Sequence, residues 1–236
     1  MNISKLDQPL FNYSMNTLLG LATALLLSAC GEGSGTSGGG GGEADISGDL
    51  ELLNSENAED RENGLLHLID HEGGAQGGTK AVELLKDENM RVASAAIKFV
   101  VKHKTDGATD ALGSLATDAA DDGVKIEALQ ALNDLGATDK YVEISVGMLK
   151  SSDAAQQSMG ANNLGRVEGG APAAQEALIA ALGSGNAEVK SQCAYALGIL
   201  GSKASAEAKT ALETASKDSD KNVAQSAKDA LAEINQ

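Results

Sequence analysis

Three histidines, two cysteines and two aspartate-rich runs hold most of the chemical range of this 236-residue chain. His67 and His71 are four residues apart, which on a helix brings two imidazoles to one face, and Asp70 and Glu72 stand beside them. Two ligands of a metal site can be arranged in this way. His103 lies 32 residues beyond His71, at the same point of a repeat described below. His71 and His103 could therefore converge from neighbouring helices as a metal-responsive or pH-sensing pair. The alternative is that both are polar residues at helix C-termini, where a histidine interacts favourably with the helix dipole. Residues 118–122 and 218–220 are rich in aspartate but lack the spaced oxygens, central glycine and distal glutamate of a calcium loop. They read as helix N-caps and solvated turns. There is no Gly-rich phosphate loop between a strand and a helix, no Gly-x-Ser-x-Gly, no Cys-x-x-Cys and no His-Glu-x-x-His. No catalytic residue and no cofactor is expected.

Cys30 has a different setting. The stretch Leu18-Leu-Gly-Leu-Ala-Thr-Ala-Leu-Leu-Leu27 is apolar, too short to span a bilayer as a helix, and runs directly into Ser28-Ala29-Cys30. Leu27-Ser28-Ala29-Cys30 resembles the lipobox of bacterial lipoproteins. The resemblance implies that residues 1–29 are a signal peptide, that the Cys30 thiol receives a diacylglycerol, and that the amino group freed by cleavage is acylated. The n-region departs from the pattern, because Lys5 is offset by Asp7, and Met15 is an alternative start. Several acyl chains, each buried methylene contributing about 0.8 kcal/mol, make such an anchor effectively permanent. Gly31, where an aspartate would imply retention in the inner membrane, implies an outer-membrane lipoprotein facing the periplasm or the surface. Residues 31–42 are Gly, Ser, Thr and one Glu, a flexible coil with an r.m.s. reach of roughly 20 Å. Residues 30–47 are thus expected to be a lipidated cysteine and tether ahead of a folded domain at 48–236.

That domain has a narrow composition. Apolar residues make up 42% of the chain and aromatics only 2%, so its core must be built from Ala, Leu, Val, Ile and Gly, which suits closely approaching helices. The net charge is −16, and the only charges before Cys30, Lys5 and Asp7, cancel. The cations form no basic patch, which excludes nucleic acid as an expected partner, and the shared negative charge favours a monomer.

Six segments align on Asp60, Val92, Val124, Gln156, Val189 and Val223, at offsets of 32, 32, 32, 33 and 34. Four residues after each anchor the chain is always small: Gly64, Ala96, Ala128, Gly160, Cys193, Ala227. Eight after it the residue is always aliphatic: Leu68, Val100, Leu132, Leu164, Leu197, Leu231. These steps fall on one helix face, and the small row predicts close approach of a neighbouring helix. Cys193, in a row of Gly and Ala, reads as a packing residue rather than a reactive thiol. A shorter apolar segment precedes each anchor helix, at residues 50–53, 81–85, 111–116, 142–149, 177–182 and 208–215. Polar or Gly-containing turns separate the two. Each unit is a helical hairpin that cannot bury its own apolar face, and stacking about six of them predicts an all-α superhelix, a solenoid.

The segments from Glu188 (Glu-Val-Lys-Ser-Gln-Cys-Ala-Tyr-Ala-Leu-Gly-Ile-Leu-Gly) and from Asp122 (Asp-Gly-Val-Lys-Ile-Glu-Ala-Leu-Gln-Ala-Leu-Asn-Asp-Leu-Gly) resemble HEAT repeats of the short kind found in phycobilisome lyases. The resemblance implies a curved stack with the second helices lining its inner face. The reading it favours is a non-catalytic adaptor that holds an envelope protein near the membrane. The alternatives are a lyase-like enzyme or accessory factor, against which an export signal argues, and the metal-responsive protein on His71 and His103. On the inner face, the residues six after the anchors point away from the stack and include Lys98, Gln130, Asn162 and Tyr195. Flanking them are Glu127, Met159 and Gln192, with Arg166 near the same edge. Tyr195 is the expected anchor of a partner, because aromatic side chains are over-represented among binding hot spots.

Overall fold

The computed structural model describes residues 45–71 and 73–235. The signal, Cys30 and nearly all of the tether fall outside them. Among the described residues the chain forms six successive helical hairpins. Their first helices are α1 (Ser47–Leu52), α3 (Gly78–Leu84), α5 (Ala108–Asp118), α7 (Thr138–Leu149), α9 (Pro172–Ser184) and α11 (Ala206–Ala215). Their second helices are α2 (Ala58–Ile69), α4 (Met90–His103), α6 (Asp122–Asp134), α8 (Ala154–Gly165), α10 (Ala187–Ile199) and α12 (Lys221–Ile234). There is no strand among the described residues.

Every second helix starts the same way. Asn57, Asn89, Asp121, Asp153, Asn186 and Asp220, each three residues before its anchor, turn a side-chain oxygen back to accept a backbone N–H of the first turn. Such a cap contributes about 1 kcal/mol and stops the helix from extending into the turn. Asp121 and Asp220 thus take the capping role their sequence context predicts.

The small row packs within each hairpin. A Cβ on Gly160 would stand 2.6 Å from the Ser145 carbonyl oxygen and 2.5 Å from the Leu149 nitrogen, so α8 lies directly on the α7 backbone. Gly64 does the same against α1. The remaining members of the row, Ala96, Ala128, Cys193 and Ala227, are fully buried. In the aliphatic row, Leu68, Val100, Leu132, Leu164 and Leu197 are fully buried, and Leu231 of the last described hairpin is half-buried. The anchors divide by chemistry: the four valines are buried, whereas Asp60 bonds to the Ser55 hydroxyl and Gln156 is exposed. The first and fourth hairpins keep their fold through the other rows.

Between repeats the second helices pack in sequence, α2 on α4, α4 on α6, α8 on α10 and α10 on α12. Gly165 meets Ala196, and Gly198 meets Ala230, each at a distance that leaves no room for a side chain. Ion pairs tie the turns at both ends of the stack. Arg61 donates from Nε and Nη2 to both Asp87 carboxylate oxygens at 2.7 and 2.9 Å, and from Nη1 to the carbonyls of Ser55 and Glu56. Lys190 pairs with Asp218 at 3.1 Å in the equivalent place between the fifth and sixth repeats.

Desolvation pushes the Asp87 carboxyl up, but the Arg61 guanidinium and the Asn89 N–H outweigh it and hold it below its ordinary value of 3.8. Because the folded value is the lower one, the pair's contribution is complete above the ordinary value and is lost as the pH falls through the folded one. Asp87→Asn is expected to cost about 2 kcal/mol at pH 7, the range for hydrogen bonds to charged groups. The gap between variant and wild type should close in acid, read from urea midpoints at pH 7, 4 and 2.5.

Candidate partner-binding face

The side chains of the second helices that turn away from the first helices separate into places with different chemistry. Between α10 and α12 lies a hollow of about 660 Å³ lined by Glu188, Ser191, Gln192, Tyr195, Asp220 and Asn222. Tyr195 is 61% exposed, the most exposed of the large apolar side chains described. It stands at this position because Ala194 and Ala196 on either side are fully buried and hold the helix face. Along α2, α4 and α6 a second hollow, about 330 Å³, is lined by Leu66, Arg91, Lys98 and Glu127 among others. Arg91 there is already paired with Glu62 at 2.8 Å.

The other predicted residues behave locally. Gln130 donates to Asp134 at 3.0 Å, and Arg166 donates from Nε to Asn162 at 3.1 Å, each pair one helical turn apart. Met159 is half-buried and lines a third hollow, between the third and fourth repeats. The row that sequence spacing treats as one surface is therefore two grooves with a cleft between them.

Two of the three histidine rings have partners within the fold. His67 Nδ1 is 3.0 Å from Asp49 Oδ1 across the first hairpin. The His103 ring packs at a tilt against Phe99, with ring centroids 4.5 Å apart, and its Nε2 is 3.1 Å from the Leu68 carbonyl oxygen, an acceptor that requires Nε2 to carry the proton. This carbonyl lies in the last turn of α2, so His103 serves a helix C-terminus, although that of the preceding repeat rather than its own. His71 is bound through its backbone, its N–H donating to Leu68 and its carbonyl accepting from Gly74. Among the described residues no three His, Cys, Asp or Glu side chains come together as a metal site would need.

Cys193 is fully buried, and burial pushes its thiol up to about 12, which keeps it protonated and unreactive as its place in the small row implies. No helix among the described residues is long and apolar enough to cross a membrane.

Spacing alone also misses the exposed apolar side chains Ile126 and Met90, 50% and 54% exposed. A signal for Ile126 is present: two residues after the anchor the other repeats have Glu62, Ser94, Ser158, Ser191 and Gln225, all polar.

Residues 145–232 match the model of the HEAT repeats family. No curated protein matches the chain. Among solved structures, a designed armadillo repeat protein in complex with the peptide (KR)4 is 20% identical, with 81% of this chain and 100% of that one covered and a TM-score of 0.51. An engineered protein is also 20% identical over 80% of this chain and 98% of its own, with a TM-score of 0.50. The complex of CpcE and CpcF of phycocyanin lyase from Nostoc sp. is 14% identical over 86% of this chain and 99% of that one, but its TM-score is only 0.32, too loose a likeness to bear on activity. At these identities the likeness is one of fold, and the chain is an all-α solenoid of the armadillo and HEAT kind.

Proposed function

We propose that the protein is a lipid-anchored scaffold of the cell envelope, held by acylated Cys30 at the outer membrane, whose second helices present a surface for a protein partner. The observation that carries the binding role is Tyr195: a ring 61% exposed in a groove of about 660 Å³, on a helix whose adjacent residues are fully buried. A soluble monomer leaves such a ring in water only at some cost, and a partner that covers it gains contact area for little lost entropy. The groove's remaining lining, Ser191, Gln192 and Asn222 with the carboxylates Glu188 and Asp220, supplies hydrogen-bonding groups around that anchor.

The test uses the lipidated full chain as bait in solubilised membranes. Substituting Tyr195 and Gln130 together by Ala should leave helicity and melting unchanged, because both side chains are exposed, and should weaken capture of the partner about tenfold, the effect of losing one hot-spot side chain. Undiminished capture would place the partner on the first helices or the turns.

A further inference from the structure

The exposed large apolar side chains are not scattered over the solenoid. Leu66, Met90, Ile126, Tyr195 and Ile199 all belong to second helices, and among the described residues the first helices expose none. Two of them stand together. Tyr195 and Ile199 are one turn apart on α10, 61% and 39% exposed, while Ala194, Ala196, Leu197 and Gly198 around them are buried.

The helices on either side set a charge next to each. α8 and α10 cross where Gly165 meets Ala196, so Arg166, which follows the one, and Tyr195, which precedes the other, flank that crossing, both exposed. α10 and α12 cross where Gly198 meets Ala230, and Ile199 and Asp229 flank that crossing in the same way. The result is an exposed strip over three helices: a cation, two apolar side chains and an anion. Neither charge is neutralised within the fold. Arg166 donates from Nε to the Asn162 amide at 3.1 Å, and Asp229 accepts from the Gln225 amide at 2.8 Å. Each is held along its own helix by a neutral group, and no ion pair among the described residues includes either.

Two interhelical spacings of about 8–10 Å separate α8 from α12, so the strip is about 16–20 Å long. An extended chain rises about 3.3 Å per residue and turns every second side chain to the same face. It covers the strip with the side chains at i, i+2, i+4 and i+6.

We infer that the strip binds an extended segment of a partner protein with a carboxylate at i, apolar side chains at i+2 and i+4, and Lys or Arg at i+6. The carboxylate pairs with Arg166, the apolar side chains cover Tyr195 and Ile199, and the cation pairs with Asp229. This rests on the reading of Tyr195 as the anchor of a protein partner and states the chemistry of that partner.

The probe is the peptide Glu-Ser-Leu-Ser-Leu-Ser-Lys, blocked at both termini so that only its two end side chains are charged. It is compared with versions carrying Glu at both ends or Lys at both ends. Each bears the same uncharged fluorophore on a Gly-Gly spacer, the full chain is titrated into it, and anisotropy is read. Saturable binding is expected, about tenfold tighter for the Glu and Lys peptide than for either like-charged version. Arg166→Glu should move the preference to the peptide with Lys at both ends, a reversal that a loss of packing would not produce. Tyr195→Ala should weaken all three. Equal affinities, no binding, or an unchanged order in Arg166→Glu would each overturn the proposal, as would self-association of the chain that Arg166→Glu abolishes, which would assign the strip to a second copy. Capture from membranes reads the binding face by itself: if capture falls with Tyr195→Ala while the peptides are not sorted by charge, that face stands and this inference alone is lost.

Discussion

Replacing Gly198 by Leu is expected to melt the end of the stack well before the rest of the domain. A Cβ at this position would stand 2.9 Å from both Cα and Cβ of Ala230, so the clash is with backbone and no rotamer relieves it. Overpacking of this kind costs about 3 kcal/mol, the upper part of its usual range, against a total domain stability on the order of 5–15 kcal/mol. In a stack of repeats the loss falls on the interface that is touched. Hydrogen exchange in α12 should therefore accelerate while α2 and α4 keep their protection, and the thermal transition should broaden or split. Gly147→Ala is the matched control. Nothing lies within 4 Å of a Cβ there, so removing a glycine from the interior of α7 should stabilise by about 0.5–1 kcal/mol. Cys193→Phe and Ala128→Phe probe the other face of the second helices, since both positions are fully buried within their hairpins. Wild-type melting of Gly198→Leu would show that α10 and α12 do not meet through Gly198 and Ala230.

The second large effect is one of location. With Cys30→Ala, lipidation and membrane retention are expected to be lost completely, because the acyl chains proposed for that thiol supply the whole anchor and no described helix could replace it. The solenoid should fold as before, with unchanged far-ultraviolet dichroism, since its core consists of residues from Ile46 onward. Partitioning of metabolically labelled protein into the detergent phase reads the outcome. A Cys30→Ala variant that still enters that phase would end the lipoprotein reading and return residues 18–27 to an uncleaved apolar segment.

Much of the architecture is legible from one row of letters. The offsets of 32 to 34, the small residues at the fourth position and the aliphatic ones at the eighth determine six hairpins and the face each second helix buries, because those steps express the helical period and nothing else in the chain competes with it. The Asn or Asp three residues before every anchor repeats with the same spacing and sets where each second helix begins, a local effect between a side chain and the N–H groups that follow it. Even the place of Cys193 among Gly and Ala determined that it is a buried, inert thiol.

The candidate sites are another matter. His71 and His103 share a repeat position, yet what occupies the His103 ring is the carbonyl of Leu68, 35 residues away, and only the packed fold brings the two together. Tyr195 and Gln130 also share a position, but one stands in a groove and the other bonds to Asp134 on its own helix. The closest contacts between repeats are made by pairs such as Gly165 with Ala196 and Gly198 with Ala230, drawn from different helices about 30 residues apart. A periodic pattern determines each helix against its own hairpin because that contact recurs in every repeat. The cleft beside Ile126 arises where the contact between repeats fails to recur, and that was decided only when α6 and α8 were placed side by side.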